Sequence, residues 1–176
     1  MQGQEVSDLD GEHSGDLHLL HDRWTLWAHF PHDTDWSEKS YKKIGTVDSV
    51  EAVITLCDTL PEKMVKNCML FFMRDGVHPT WEDPKNRGGG CFSYKVNNKS
   101  VDSVWKSLSY ILVGETLSSN HQLVRSVNGI TISPKKNFCI VKIWLSGCEF
   151  QDPTLMIDVD GLTTQGCVFK RHIAVS

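Results

Sequence analysis

Alternating and continuous runs of apolar side chains predict a chain built mainly of short strands. Residues 23–30 interleave Trp, Leu and Phe with Thr and His, which is typical of a half-buried strand. Residues 67–73 form a short apolar run that predicts a buried strand. Further strands are predicted at 91–96, 155–162 and 166–175, and residues 128–146 predict a hairpin that turns at 133–137.

Two stretches have helical periodicity. In residues 48–60 the apolar positions share one helix face: Val50, Val53, Ile54 and Cys57. Asp48 and Glu51 are spaced as a capping box, and Pro61 ends the helix. A second helix is predicted from Asp102 to about Leu117. Because strands and helices do not alternate regularly, the expected fold class is α+β with a largely antiparallel sheet.

Tryptophan is frequent, with six residues where average usage predicts about two. Two of them stand in segments with loop composition. Trp36 follows a turn rich in Pro, His and Asp, and Trp81 lies beside Glu82 within the Gly- and Pro-rich segment 76–90. A large aromatic ring in a polar loop is unusual for a core residue. A role in stacking against a ligand therefore stands beside the alternative of core packing.

Length and charge restrict the function. The 176 residues suit one domain, and the net charge of −4 excludes a long groove that binds a nucleic-acid backbone. Any RNA contact must then involve only one or a few nucleotides. We expect residues 1–17 to form a disordered acidic tail and residues 18–176 to form the domain.

The location inside the cell is expected to be cytoplasmic, with the nucleus as a second compartment. There is no apolar run long enough for a membrane span, and the amino-terminal segment resembles neither a signal peptide nor a transit peptide. The six cysteines include no Cys-x-x-Cys pair, which favours free thiols in a reducing compartment.

The order of several short motifs resembles the eukaryotic translation initiation factor 4E family. The series is Arg23-Trp24-x-x-Trp27, then Trp36, then Asp75-Gly76-x-x-x-Trp81-Glu82-Asp83-x-Lys85-Asn86-x-Gly88-Gly89, then Gly114-Glu115 and Ile143-Trp144. It covers residues 18–146, and the segment around Trp81 is its specific part. The short carboxy-terminal region and unusual loops are similar to trypanosomatid versions, and this divergence indicates a distant paralogue.

This resemblance implies a curved antiparallel sheet that binds the mRNA cap on its concave face, with helices on the convex face. Trp36 and Trp81 would sandwich the 7-methylguanine base. Glu82 would accept hydrogen bonds from the base edge, and Trp144 would contact the N7 methyl group from the side. No catalytic residue, metal or cofactor is expected.

The triphosphate of the cap needs cations, and here the chain departs from the family pattern. The basic residue expected after the glycines of the Trp81 loop is absent, since Gly90 and Cys91 stand there. The remaining candidates for phosphate binding are Lys135, Lys136, Lys142 and Arg87. Any of them could equally be a solvated surface charge.

The family also binds a helical motif of scaffold initiation factor 4G or of a 4E-binding protein on its convex face. By position this surface would contain His18, Val50, Ile54 and Tyr110. Ile54 replaces the family's Trp, and Lys106-Ser107 replace its Leu-Glu pair, so binding of the standard motif is in question. Outside its complex the protein is expected to be a monomer.

Two other functions are compatible with parts of the sequence. One is metal-dependent chemistry at a His and Asp cluster, although no ligand spacing supports it: His29, His32, Asp33 and Asp35. The other is a paralogue that has lost cap binding, or represses translation, and acts through protein contacts alone. The reduced set of basic residues favours this second alternative, whereas the retained Trp36, Trp81 and Glu82 oppose it.

Overall fold

The structure is a computed structural model that describes residues 16–173. Seven strands form one curved sheet in the order β2-β1-β3-β5-β6-β4-β7, and every neighbouring pair is antiparallel. Their bounds are β1 Leu19–His29, β2 Lys42–Ser49, β3 Met69–Arg74, β4 Gly90–Asn97, β5 Val127–Pro134, β6 Phe138–Leu145 and β7 Val168–Arg171. The predicted α+β class is confirmed. The predicted tail, apart from its last two residues, lies outside the described residues.

Within residues 16–173, five α-helical segments accompany the sheet, where the sequence pattern predicted two. They are α1 Val50–Thr59, α2 Glu62–Asn67, α3 Pro84–Arg87, α4 Val101–Val113 and α5 His121–Ser126. The three unpredicted helices have four to six residues each, too few to show periodicity. Single 3-10 turns occur at Glu38–Ser40 and Pro153–Leu155.

The predicted capping box of α1 is wrong. Asp48 is still part of β2, and Ser49 is the N-cap residue, with its hydroxyl accepting a hydrogen bond from the Ala52 amide at 3.2 Å. Glu51 points instead to His18, whose Nδ1 lies 2.6 Å from Oε1. Strand β2 extends through Asp48 to Ser49, so the N-cap position is Ser49 and not Asp48.

Side chains on the two sides of the sheet build two separate apolar clusters. In β3, Leu70 and Phe72 face the side on which α1, α2, α4 and α5 pack, whereas Phe71 and Met73 face the opposite side, which we call the cavity side. The helix side holds the main core, including the fully buried Trp24. The smaller cluster, on the cavity side, contains no residue of these four helices.

The strand predicted at residues 155–162 is wrong. This segment contains only the end of a 3-10 turn and a single bridge between Val159 and Leu162. The Ile157 amide donates to the Leu117 carbonyl at 2.8 Å, so the backbone pairs with the loop after α4 instead of with a strand. Met156 and Val159 are buried against the core, which explains the apolar pattern without a sheet.

Two glycines allow the strands around β4 to approach closely. A Cβ atom on Gly89 would lie 1.8 Å from the Leu145 carbonyl oxygen, and one on Gly90 would lie 2.3 Å from that of Lys170. Neither position accepts a side chain without moving the backbone. The glycines therefore let β7 pair with β4 and bring residues 170–172 to the cavity side of the sheet.

Candidate functional site

A cavity of about 480 Å³ opens on the cavity side of the sheet, the side of Phe71 and Met73. Trp36, Trp81, Glu82 and Trp144, which the sequence predicted as one site, all line this cavity. Its remaining wall consists of Tyr41, Met69, Phe71, Pro79, Thr80, Cys91, Lys142, Lys170, Arg171 and His172. Five strands or their flanking loops thus contribute to one site that is aromatic on its walls and basic along one edge.

Trp36 stands out from its loop, with 56% of its surface exposed. One face of its indole is covered by the imidazole of His29, with ring centroids 3.7 Å apart and planes within 4° of parallel. Tyr41 approaches the same indole edge-on at 6.5 Å. The Trp36 ring is therefore supported from the sheet side and accessible from the cavity side.

The loop before Trp36 is ordered by its acidic residues. The Asp35 carboxylate accepts hydrogen bonds from the Ser37 amide at 2.8 Å and the Ser37 hydroxyl at 2.9 Å. These hydrogen bonds lower the pKa of Asp35, and the nearby His29 and Lys42 lower it further. Asp33 accepts from the Asp35 amide at 2.9 Å.

Hydrogen bonds within this loop explain the His and Asp cluster that the sequence analysis considered as a metal site. His29 is buried, and its Nε2 lies 2.8 Å from the Asp35 carbonyl oxygen. Across residues 16–173 no group of three or more His, Cys, Asp or Glu side chains is arranged to hold a metal ion.

Trp81 and Glu82 occupy a loop that two polar residues hold in shape. Asp83 accepts from the His78 amide at 2.9 Å and from the Lys85 amide at 2.8 Å, which starts α3. Asn86 is fully buried, and its amide nitrogen donates to the carbonyls of His78 and Thr80 at 3.1 and 2.8 Å. The Trp-Glu-Asp-x-x-Asn spacing in the sequence thus encodes the loop as well as the two residues it presents.

Glu82 and Trp144 differ in exposure. Glu82 is exposed, and its negative charge, together with the larger effect of burial, raises the pKa of Tyr41 in the cavity wall. Trp144 is only 8% exposed, and its Nε1 donates to Thr131 at 3.1 Å. Trp144 therefore presents carbon atoms to the cavity, while Glu82 presents an acceptor.

Basic side chains from two strands line the cavity. Lys142 on β6 lies on the same face as Trp144, as its spacing predicted, and Lys170 and Arg171 come from β7. Burial raises the pKa of the Cys91 thiol between these strands, while Lys142 and Lys170 act in the opposite direction. Both lysines therefore lie close to one point of the cavity floor.

Sequence reasoning missed Lys170, Arg171 and His172 as site residues. The signal was the basic run in the last predicted strand, but only the pairing of β7 with β4 places it at the cavity. The other predicted phosphate ligands lie elsewhere: Lys135 and Lys136 are exposed at the β5–β6 turn, and Arg87 is exposed in α3. None of these three lines the cavity, and their contact with phosphate stays a prediction.

His172 closes the site next to Trp144, with ring centroids 4.7 Å apart. Its Nδ1 lies 2.6 Å from the Asn86 carbonyl oxygen, which links β7 to the Trp81 loop. Burial lowers the pKa of His172, the hydrogen bond to Asn86 acts in the opposite direction, and Lys142 lowers the pKa further. Because a carbonyl oxygen can only accept, Nδ1 donates the hydrogen bond to Asn86.

A second concavity, of about 430 Å³, lies on the helix side between α1 and α4. The predicted partner residues Val50, Ile54 and Tyr110 all line it. Val50 and Ile54 are 42% and 44% exposed, although both are apolar. His18 stands beside α1 through its contact with Glu51 and does not line the groove. A salt bridge between Lys106 and Asp58, 2.6 Å long, borders the groove.

A curved antiparallel sheet with an aromatic cavity on one face and an apolar groove on the helical face presents two separate concave surfaces. The chain belongs to the eukaryotic initiation factor 4E family, whose model matches residues 19–162. This is a family of initiation factors, which agrees with the expectation of a binding protein and not an enzyme. Among residues 16–173, no helix has the length and apolarity needed to cross a bilayer.

Similar proteins include fungal initiation factors. Eukaryotic translation initiation factor 4E-2 of Schizosaccharomyces pombe is 27% identical over 168 residues, covering 90% of this chain and 63% of the relative. The factor 4E of Candida albicans is 29% identical over 142 residues, covering 75% of this chain and 66% of the relative. The chain thus spans about two thirds of the length of these relatives.

Solved structures share the fold. Schistosome eIF4E complexed with m7GpppG and 4E-BP aligns with a TM-score of 0.68 at 24% identity, covering 76% of this chain and 74% of that one. The eIF4E-3 of C. elegans with the 4E-binding protein Mextli aligns with the same TM-score at 21% identity, covering 76% and 78%. These likenesses confirm the predicted curved sheet with its helices.

Proposed function

We propose that this protein binds the 7-methylguanosine cap of mRNA by stacking the methylated base between Trp36 and Trp81. The observation that supports this most is the presence of two half-exposed tryptophans on separate loops of one cavity, at 56% and 46% exposure. Large exposed aromatic residues that share a concave site are typical of stacking platforms for bases. Family membership supports the same ligand.

Stacking gives both affinity and selectivity for the methylated base. One aromatic face contributes about 1–3 kcal/mol per stacked base. Methylation at N7 gives guanine a delocalised positive charge, and a cation over a tryptophan face adds about 0.5–2 kcal/mol. The second contribution is absent for plain guanine, so the site should prefer the methylated form.

Glu82 and Trp144 complete the recognition of the base in this proposal. The Glu82 carboxylate accepts hydrogen bonds from the N1 and N2 hydrogens of guanine, and the ligand's positive charge strengthens them. Trp144 offers its ring to the N7 methyl group, since its N–H is already bound to Thr131. Because Glu82 directly follows Trp81 in the chain, one ordered loop orients both the stacking indole and the carboxylate acceptor.

Lys142, Lys170 and Arg171 are the residues we assign to the phosphate chain. They line the cavity next to the aromatic residues, so a phosphate attached to the stacked nucleotide lies within their reach. Each charged hydrogen bond to a phosphate oxygen contributes about 1.5–3 kcal/mol. Lys135, Lys136 and Arg87 would then contact only parts of the mRNA further from the base.

Cap binding would serve the recruitment of mRNA to translation initiation, which places the protein in the cytoplasm. The groove between α1 and α4 would bind a helical segment of scaffold factor 4G or of a 4E-binding protein. Its support is the shared apolar lining of Val50, Ile54 and Tyr110, together with relatives solved with 4E-BP and with Mextli.

The test is a fluorescence titration of the protein with 7-methyl-GTP and with plain GTP. We expect strong quenching by the methylated nucleotide and at least tenfold weaker binding of plain GTP, as roughly 1.4 kcal/mol of cation–π energy requires. Glu82→Gln should abolish most of the binding, whereas Glu149→Gln, at an exposed position outside the cavity, should not. Absent or equal binding of both nucleotides would favour a paralogue that acts through protein contacts alone.

A further inference from the structure

We infer that His29 is a positioning residue for the cap, which holds the Trp36 indole in its stacking orientation. This inference rests on the proposed cap binding. It concerns a residue that the sequence pattern placed in a strand and in the candidate metal cluster.

The geometry identifies His29 as the support of the indole. Its ring is parallel to that of Trp36 within 4°, at a centroid distance of 3.7 Å, which is full face-to-face contact. His29 is 2% exposed, whereas Trp36 is 56% exposed. One ring is thus part of the protein interior and the other projects from a loop. The buried ring defines the plane in which the exposed ring can accept a base.

His29 is itself held firmly. It is the last residue of β1, opposite Met69 of β3, so its backbone belongs to the sheet. Its Nε2 lies 2.8 Å from the Asp35 carbonyl oxygen, one residue before Trp36 in the chain. Tyr41 packs edge-on against the imidazole at 5.5 Å and also against Phe71 at 5.4 Å. The support of Trp36 therefore has a continuous connection to the central sheet.

Two substitutions separate stacking from hydrogen bonding. His29→Phe keeps a flat ring under Trp36 but loses the N–H, whereas His29→Gln keeps an N–H for the Asp35 carbonyl but loses the ring. Affinity for 7-methyl-GTP should fall about threefold to tenfold in the Gln variant, the worth of one aromatic pair, and about twofold or less in the Phe variant. Unchanged affinity in the Gln variant would overturn the positioning role.

Because the native protein is titrated first, failure of cap binding itself is seen separately, and urea unfolding of each variant reveals any loss of folding.

Discussion

Asn128 donates a hydrogen bond from its side-chain nitrogen to the side-chain oxygen of Asn86, at 2.9 Å, and this buried pair joins the Trp81 loop to strand β5. Asn128 also donates to the Lys85 carbonyl at 2.8 Å. Asn86 itself donates from its side-chain nitrogen to the His78 and Thr80 carbonyls. Its side chain therefore makes three hydrogen bonds inside the protein. The hydrogen bonds of Asn128 therefore attach the Trp81 loop to the sheet and fix its shape.

Asn86→Ala should lower both stability and cap affinity. The substitution removes three hydrogen bonds in the interior, two to loop carbonyls and one from Asn128, so the free energy of unfolding should fall by about 1–3 kcal/mol. Affinity for 7-methyl-GTP should fall roughly tenfold, since Trp81 and Glu82 lose their fixed support. Urea unfolding and fluorescence titration measure the two effects. The control Asn67→Ala removes an exposed amide at the end of α2 and should change neither.

Arg74→Ala should be among the most destabilising single substitutions. The guanidinium binds Glu115 at 2.7 Å and Asp22 at 3.0 Å, donates to the Val127 carbonyl, and lies over Trp24 at 4.4 Å. Removing it leaves the poorly exposed Glu115 carboxylate without its partner. We expect a loss of about 3 kcal/mol in the free energy of unfolding, measured in urea.

A matched control for Arg74 is Lys66→Ala, which removes the exposed salt bridge between Lys66 and Glu62 within α2. Exposed pairs of this kind contribute less than about 1 kcal/mol. Equal effects of the two substitutions would contradict the central role of Arg74. A double variant with Glu115→Gln tests the pair directly, because its effect should be smaller than the sum of the single effects.

His172 should make the folded state sensitive to acid. Burial lowers its pKa below the ordinary value of 6.5, so the unfolded chain gains this proton at a higher pH than the folded one. Its contribution to stability is therefore fully present above pH 6.5 and is lost as the pH falls from 6.5 towards the lowered value.

The measurement is a series of urea unfolding curves of the native protein and of His172→Gln between about pH 7.5 and pH 5. The difference in unfolding free energy between the two proteins should shrink as the pH falls. A constant difference across the range would show that His172 keeps the same protonation state in the folded and unfolded chains.

Lys142→Ala and Lys170→Ala should weaken binding of 7-methyl-GTP about tenfold each, through loss of a charged hydrogen bond to phosphate. Binding of the nucleoside 7-methylguanosine, which has no phosphate, should change little. Lys136→Ala at the β5–β6 turn is the matched comparison, since this lysine does not line the cavity. If Lys136→Ala weakens 7-methyl-GTP binding and Lys142→Ala does not, the phosphate chain runs towards the hairpin.

Ile54→Asp should abolish binding of a helical peptide with the Tyr-x-x-x-x-Leu-apolar motif while leaving cap affinity unchanged. Ile54 is 44% exposed in the groove, so a carboxylate there disrupts an apolar contact surface without unfolding the core. Fluorescence anisotropy of a labelled peptide measures the effect. Failure of the native protein to bind such a peptide would mean that the replacement of the family's Trp by Ile54 has removed this mode.

Most of the elements and the central residues of the site could be predicted from the sequence. Period-two and apolar patterns revealed most of the strands because each half-buried strand carries its burial pattern locally. The loop position of Trp81 and Glu82 was identifiable because turn-forming residues surround them, whereas the role predicted for Glu82 came from the family resemblance. The prediction for residues 155–162 was wrong because burial of Met156 and Val159 imitates a strand when the backbone pairs elsewhere.

The sequence by itself determined the α+β class, the two loop tryptophans with their acidic neighbour, and the apolar face of α1, since local spacing carries each of them. Only the tertiary structure decided which cations reach the cavity and what supports Trp36. Lys170 and His172 join the site through the pairing of β7 with β4, and His29 meets Trp36 through the turn after β1. Such contacts depend on how segments that are far apart in the chain, or joined by a turn, pack against each other. The side-chain periodicity of a single segment does not reveal that packing.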